Sequence, residues 1–203
     1  MFDAQCDLAA LAYAEDQNPD EVLLTFCDDL RRSGFRPVGL VQHGHCRGQP
    51  ADVSTLLIHT NEQIRLFQNL GSCAEGCRLD VGQLLTAGAR VATAIDHGAD
   101  LVVVNRFGRL EREGKGLSFL IEMAIGLGIP TVVAVPANRF KEWIKFSQGM
   151  SVKLACDAAS LHRWWESMLR GSSVIGRASA RCWSSNARAN SLELGDFCHD
   201  LIT

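Results

Sequence analysis

The sequence predicts an α/β protein of three layers, in which helices cover both faces of a mostly parallel β-sheet. Short apolar runs rich in β-branched residues, such as Leu101 to Val104, alternate with longer segments whose apolar residues recur at helical spacing. Polar or glycine-containing turns separate these segments. Such alternation is typical of parallel strands joined by right-handed crossovers, so we expect βαβ units along most of the chain.

The length of the chain sets the number of domains that we expect. A chain of 203 residues can bury the core of one ordinary domain. We therefore predict a single α/β domain over residues 1–170. Residues 171–203 are rich in Ser, Arg and Ala and have no apolar periodicity, so they are predicted to form a disordered or loosely docked tail.

The N-terminal part of the domain is predicted to form one βαβ unit. The apolar run from Cys6 to Tyr13 indicates a strand. Asn18 followed by Pro19 indicates the start of a helix, because Asn is a favoured N-cap and Pro fits the first helical position. This helix is expected to end near Gly34, and the run from Pro37 to Gln42 predicts the second strand.

The next segment departs from this alternation. Gly and Pro are frequent between His43 and Gly76, and two short apolar runs, Val53 to His59 and Gln63 to Phe67, lie on either side of a polar turn. This spacing predicts a β-hairpin that is inserted between two βα units.

The C-terminal part of the domain returns to alternating helices and strands. Asp80 is expected to cap the helix that precedes the strand at Leu101, and a helix from Gly116 to Leu127 precedes the strand from Thr131 to Val135. Asn138 is expected to cap the next helix. A strand from Ser151 to Cys156 and a helix capped by Asp157 complete the domain.

The apolar periodicity of these helices predicts which side chains face the core. Of the neighbours Trp164 and Trp165, one ring is expected inside and the other at the surface. The other predicted core residues on these helices are Leu84, Leu85, Val91, Ile95, Leu117, Leu120, Ile121, Ala124, Ile125, Phe140, Trp143, Ile144 and Phe146.

The composition limits the classes of partner. With 20 Lys and Arg against 23 Asp and Glu, the net charge of −3 creates no overall field that attracts nucleic acid or acidic lipid. The start of the chain has no basic leader, and no apolar run reaches the roughly 18 residues that a membrane helix needs. We therefore predict a cytoplasmic protein without a membrane span.

The cysteines are expected to be mostly free thiols, because a cytoplasmic chain of this size builds a core without disulfides. Cys73 and Cys77 have a spacing compatible with a metal site that His43, His45 and Cys46 would complete. The match is weak because all these residues lie in an irregular stretch, so free thiols are the preferred interpretation. The sequence identifies no cofactor.

The segment from Asp100 to Gly116 is the best indication of a functional site. A buried strand passes directly into a dense group of cationic and polar residues, and in open α/β sheets ligands bind outside the carboxyl ends of the strands. Guanidinium, ammonium and amide donors suit a phosphate or another tetrahedral oxyanion, and glycines allow a close approach of the backbone. The predicted ligand-binding residues are Gln42, Arg78, Asn105, Arg106, Gly108, Arg109, Glu111 and Lys115.

A second interpretation of the same segment stays open. A charged loop after a buried strand is often only a solvated connection, and Glu111 then pairs with a neighbouring cation at the surface. No catalytic residue and no metal ligand are predicted.

The sequence lacks the groups with which ordinary nucleotide hydrolases hold their substrate. The turn from Tyr13 to Glu21 contains no Gly and no Lys-Ser or Lys-Thr pair, so it cannot form the glycine-rich phosphate cradle. Asn105 follows the buried strand where such enzymes place an Asp that holds magnesium. Both departures argue against ATP or GTP hydrolysis.

Four short motifs carry a resemblance to a known family: Gly39 to Gln42, Cys77 to Asp80, Asn105 to Glu111 with Gly114 to Gly116, and Pro130 to Pro136. Together they resemble a bacterial domain-of-unknown-function family whose members are often encoded beside molybdate-transport genes. The resemblance covers roughly residues 6 to 169. More remotely, the order of elements is similar to that of the P-loop nucleoside-triphosphatases, without the P-loop itself.

The resemblance implies an accessory role in molybdenum or tungsten handling, with molybdate-transport or molybdenum-cofactor proteins as partners. Our leading hypothesis is a protein that binds a small oxyanion such as molybdate, or a nucleotide, without hydrolysing it. One alternative is a divergent nucleotide hydrolase or transferase that uses Glu111 as its base. Another is a protein-interaction partner of a transporter or cofactor-assembly system.

Overall fold

A computed structural model describes residues 6–43, 54–66 and 80–174 of the chain. Within these residues the chain forms a seven-stranded sheet in the order β4-β3-β2-β5-β6-β1-β7. The strands are β1 (Leu8–Tyr13), β2 (Pro37–His43), β3 (Ser54–Leu57), β4 (Glu62–Arg65), β5 (Leu101–Asn105), β6 (Thr131–Pro136) and β7 (Val152–Ala155). The helices are α1 (Pro19–Arg32), α2 (Val81–Asp96), α3 (Arg109–Arg112), α4 (Ser118–Gly126), α5 (Phe140–Phe146) and α6 (Ala158–Val174), with a 3₁₀ turn at Ala137–Arg139.

The pairing of the strands confirms the predicted mostly parallel sheet. β1 pairs in parallel with β6 and β7, and β5 pairs in parallel with β2 and β6. β3 and β4 are the antiparallel members, and they extend the sheet beyond β2 as the predicted hairpin. Asn61 in the hairpin turn has a φ of 56°, a left-handed conformation that Asn tolerates better than most residues.

Helices cover both faces of the sheet and create two separate cores. On one face, α1 and α6 bury residues such as Phe26, Leu30 and Leu161 against the sheet. On the other face, α2, α4 and α5 bury residues such as Val91, Ile121 and Trp143. The three predicted layers are therefore present.

The structure corrects several details of the predicted core. Leu85, Ile125 and Ile144 were expected inside, but their exposures are 45%, 46% and 47%. Trp164 and Trp165 are both buried, because the second ring packs edge-on against Phe35 rather than facing the solvent. The apolar residues of these helices therefore occupy more of the helix surface than the part that packs against the sheet.

Some boundaries also differ from the prediction. The loop after β5 contains the short helix α3, and α4 begins only at Ser118. Asn138 lies inside the 3₁₀ turn and caps no helix, whereas Asn18, Asp80 and Asp157 accept the backbone hydrogen bonds expected of caps. The last helix continues through Val174, four residues past the predicted end of the domain. Residues 175–203, the rest of the predicted tail, lie outside the described residues.

Two further expectations concern membranes and thiols. Among the described residues, no helix has the length and apolarity needed to cross a membrane. Cys6, Cys27 and Cys156 are free, and burial raises the pKa of the Cys27 thiol to about 12. The possible zinc ligands Cys73, Cys77, His45 and Cys46 lie outside the described residues.

Candidate ligand site at the carboxyl ends of the strands

The parallel strands all end at one edge of the sheet, and a crevice is expected where neighbouring strands send their chains to opposite faces. β1 and β6 are such neighbours, because the chain leaves β1 into α1 on one face and leaves β6 into α5 on the other. In open α/β sheets ligands bind at this switch point. β5 lies on the other side of β6, so its last residue also reaches this region.

Four side chains meet at this edge, and we call them the crevice cluster: Tyr13, Asp20, Asn105 and Arg106. Asn105 Nδ2 donates a hydrogen bond to Asp20 Oδ1, which joins the end of β5 to the first turn of α1. Arg106 Nη2 lies 3.6 Å from the same carboxylate oxygen. The guanidinium carbon of Arg106 lies 5.6 Å from the centre of the Tyr13 ring, within the range of a cation–π contact.

The crevice cluster is largely buried but incompletely hydrogen-bonded. Tyr13, Asp20 and Asn105 are 8%, 5% and 4% exposed. Asn105 Oδ1 and Arg106 Nε are buried atoms with no hydrogen-bond partner in the described structure. The buried Tyr13 hydroxyl lies near the guanidinium without forming a hydrogen bond of normal geometry. Buried polar atoms in proteins nearly always have partners, so such a concentration suits a bound polar molecule.

The orientation of the Asn105 amide follows from its neighbour. Its Nδ2 faces the Asp20 carboxylate, whereas a flipped amide would place two oxygen atoms against each other. The free atom of the amide is therefore an acceptor, and the free atom of Arg106 is a charged donor. A ligand that bears both an anionic oxygen and a hydroxyl or N–H group would satisfy both.

The charges around Tyr13 act in opposite directions on its phenol. Burial raises the pKa of Tyr13, and the Asp20 carboxylate adds to this effect. The guanidinium groups of Arg106 and Arg139 lower the same pKa in part. Arg139 belongs to the 3₁₀ turn after β6, so two cations from neighbouring strand ends act on this one phenol.

Glu111 does not face the crevice as an open base; its carboxylate organises the loop after β5. It is 4% exposed, and its two oxygens accept hydrogen bonds from Gly108 N at 2.9 Å and Leu117 N at 3.1 Å. Gly116 has a φ of 59°, and a Cβ atom there would lie 2.4 Å from Glu111 Oε1. Gly108 and Gly116 thus make room for this carboxylate, whereas the sequence suggested that they make room for a ligand.

Arg109 and Lys115 lie apart from the crevice cluster on the outer surface of the same loop. Their side chains are 75% and 69% exposed, and they flank Glu113 at 3.5 Å and 3.6 Å. Of the eight predicted residues, the structure therefore brings Asn105 and Arg106 together and directs Arg109 and Lys115 elsewhere. The side chain of Gln42 and the whole of Arg78 are outside the described structure.

Three members of this neighbourhood were not among the predicted site residues: Tyr13, Asp20 and Arg139. For Asp20, the position directly after the first strand-to-helix turn was the available signal, because that turn lies at the same sheet edge as the end of β5. No sequence pattern singled out Arg139.

The turn between β1 and α1 differs from a phosphate cradle in its hydrogen bonds. Asn18 Oδ1 accepts from Asp20 N at 3.2 Å and Glu21 N at 3.5 Å, and Pro19 has no N–H group. The first amides of α1 are therefore already used inside the turn, and the Asp20 and Glu21 carboxylates add negative charge to it.

Comparison with known proteins places this chain in a family. The family model described as "Protein of unknown function (DUF2478)" matches residues 8–164. The chain belongs to this family. A domain-of-unknown-function family is what the motifs around Asn105 indicated.

One curated relative and two solved structures extend the comparison. "Molybdenum import ATP-binding protein ModC 2" of Bradyrhizobium diazoefficiens (strain USDA 110) is 37% identical over 160 residues, which are 78% of this chain but only 18% of the relative. A human cancer-related nucleoside triphosphatase has a TM-score of 0.50 at 12% identity, covering 71% of this chain and 86% of its own. THEP1 from Aquifex aeolicus has a TM-score of 0.52 at 11% identity, covering 74% and 90%. The DUF2478 chain therefore has a P-loop-NTPase-like α/β fold.

Proposed function

We propose that this protein binds a phosphate-bearing ligand such as a nucleotide, or a free tetrahedral oxyanion such as molybdate, in the crevice between β1 and β6 without hydrolysing it. The observation that carries the proposal is the pair of buried polar atoms without a hydrogen-bond partner in the described structure, Asn105 Oδ1 and Arg106 Nε. A guanidinium that keeps one buried donor atom free favours an anionic oxygen, since charge-assisted hydrogen bonds are the strongest of their kind.

The pairing of a donor with an acceptor favours the phosphate-bearing ligand over bare molybdate. Molybdate near neutral pH offers only acceptor oxygens, whereas a nucleotide also carries hydroxyl and amino groups. Such a group donates to Asn105 Oδ1 while a phosphate oxygen accepts from Arg106. Both ligand classes share the tetrahedral oxyanion, so binding measurements have to separate them.

Binding without hydrolysis is proposed because the groups used for phosphoryl transfer are replaced. The first amides of α1 are bonded to Asn18, and a carboxylate, Asp20, stands in the turn that cradles phosphates in P-loop enzymes. Asn105 offers a neutral amide at the end of β5, and Glu111 uses both oxygens within its own loop. These features disfavour the alternative in which Glu111 serves as a catalytic base.

The relative named as a molybdenum import ATP-binding protein supports a link to molybdenum handling. There, a segment similar to this chain forms 18% of a longer protein. We propose that the present chain acts as an accessory or regulatory protein for a molybdate importer or for molybdenum-cofactor assembly, and that the ligand in the crevice controls this role.

Isothermal titration of the full chain with phosphate, sulfate, molybdate, tungstate, ADP and ATP tests the proposal. At least one ligand is expected to bind saturably, with a nucleotide stronger than molybdate. Arg106→Ala should weaken this binding by about 1.5–3 kcal/mol through loss of a charged hydrogen bond. Lys115→Ala is the matched control and should bind as the wild type does.

Three outcomes would overturn the proposal: no saturable binding of any probe, unchanged binding by Arg106→Ala, or equal losses in both variants. Steady, magnesium-dependent phosphate release that Glu111→Gln abolishes would establish the hydrolase instead.

A further inference from the structure

The two helical layers differ in the chemistry of their outer surfaces. α1 and α6 carry nine charged residues, whereas α2 and α4, two of the three helices on the other face, carry three: Arg90, Asp96 and Glu122. Arg90 is already paired with Glu62 of the hairpin. The layer formed by α2 and α4 therefore has an outer face with little free charge.

Large apolar side chains are exposed on these two helices and directly after α4, and we call them together the apolar face. Val81 and Leu85 of α2 are 43% and 45% exposed, and Phe119 and Ile125 of α4 are 37% and 46% exposed. Leu127 follows at 45%. The two helices are neighbours, since the Phe119 ring lies 3.0 Å from the point where a Cβ of Gly88 would be.

The sequence pattern indicates that these exposed side chains are suited to packing against another surface. Leu85 and Ile125 fit the inward spacing of their helices, yet the sheet does not cover them. α4 in particular is apolar around most of its circumference, with Glu122 as its one charged residue. A helix that is apolar on more than its sheet-facing side is typical of one that packs against a second surface.

We infer that the apolar face is the interface at which two copies of this chain form a symmetric dimer. In a two-fold dimer each patch meets its own copy, so a charged patch would oppose like charges, whereas an apolar patch is self-complementary. The α1 and α6 layer, with its many charges, does not meet this condition. The apolar face does, because the described residues of α2 and α4 include three charges, and one of them, Arg90, is paired with Glu62.

The size of the apolar face is adequate for such an interface. At roughly 180 Å² for a fully exposed large side chain, the five residues expose on the order of 400 Å². A standard interface buries about 800 Å² on each partner, and a little over half of that area is apolar. The five side chains thus supply most of the apolar centre, and the small residues between them supply more.

Analytical ultracentrifugation of the full chain tests the inference. The wild type should form a dimer whose dissociation constant is in the micromolar range, as expected for an interface at the smaller end of the standard size. Leu85→Glu and Ile125→Glu should each weaken the dimer by about tenfold or more, since each places an unpaired charge on both sides of the interface. Circular dichroism and thermal melting verify that each variant folds.

Leu169→Glu is the matched control, because Leu169 is 39% exposed on α6 in the opposite layer. It should leave the dissociation constant unchanged. If the wild type is still monomeric at a protein concentration of about 200 μM, well above the expected micromolar dissociation constant, the inference is overturned. Unchanged dimerisation of the Leu85 and Ile125 variants, or an equal loss in the control, would also overturn it. None of these results depends on whether the crevice binds a ligand.

Discussion

The loop after β5 has two ends that carry similar cationic side chains in opposite surroundings. At its inner end, Arg106 lies against a buried carboxylate and an aromatic ring and keeps a buried donor atom without a partner. At its outer end, Arg109 and Lys115 extend into solvent on either side of Glu113. The charges are alike, but the inner side chain is 31% exposed against 75% and 69% at the outer end, and it keeps a buried donor atom without a partner. Burial and unsatisfied polar atoms thus distinguish the candidate site from an ordinary charged surface.

Glu111 separates these two ends, and its replacement should have the largest effect. Glu111→Ala leaves the Gly108 and Leu117 N–H groups without their acceptor, so the free energy of unfolding should fall by about 3 kcal/mol in urea titrations. Glu113→Ala, two residues away on the exposed side, should change it by less than about 0.5 kcal/mol. Similar losses in the two variants would show that the inner and outer ends do not differ in stability.

The two glycines near Glu111 provide the next comparison. Both have a positive φ, but a Cβ at Gly116 would collide with Glu111, whereas none of the described atoms lies within 4 Å of a Cβ at Gly114. Gly114→Ala should cost about 1 kcal/mol from backbone conformation alone, and Gly116→Ala should cost about 2 kcal/mol or more. Urea unfolding of both variants measures the difference, and a smaller cost at Gly116 would contradict the described packing.

Tyr13 reports on the inner end directly, because it is the only tyrosine in the chain. An ultraviolet absorbance titration should show its pKa above the ordinary value of 10.0, since burial disfavours the phenolate. Arg106→Ala should raise this pKa further by removing a cation that favours the phenolate. Arg109→Ala, at the outer end, should leave the pKa of Tyr13 unchanged. A shift as large as that of Arg106→Ala would contradict the proposed difference between the inner and outer ends of the loop.

The raised pKa of Tyr13 also predicts that the free energy of unfolding decreases at alkaline pH. The folded protein holds the phenolic proton more tightly than the unfolded chain does. The resulting stability is fully present below pH 10.0 and is lost as the pH rises through the folded-state pKa. Unfolding titrations in alkaline buffer should show this loss in the wild type, and Tyr13→Phe should remove this component of it.

The smallest effect is expected at the outer end. Arg109→Ala and Lys115→Ala each remove one member of an exposed ion pair, so each should change the free energy of unfolding by less than about 0.5 kcal/mol. Urea unfolding at low and high salt measures this. A loss above about 1 kcal/mol would show that the exposed network is structurally important.

The architecture was predictable from the sequence because periodicity and caps are local signals. The alternation of apolar runs and helices, the hairpin turn and the caps at Asn18, Asp80 and Asp157 all appear in the structure. The site was less predictable because it depends on direction rather than residue type. Asn105, Arg106, Arg109 and Lys115 have equally suitable groups in the sequence, and only the fold turns two of them toward Asp20 and the other two toward solvent.

The order of strands in the sheet has a consequence for synthesis of the chain on the ribosome. Of the described strands β1 is the first to emerge, yet its neighbours are β6 and β7, the last two of them to be made. The nascent β1 therefore lacks β6 until about residue 136 has been translated and lacks β7 until about residue 155. Tyr13, at the end of β1, consequently joins Arg106 only after β6, which lies between β5 and β1, has left the exit tunnel, so chains released before that point lack the crevice.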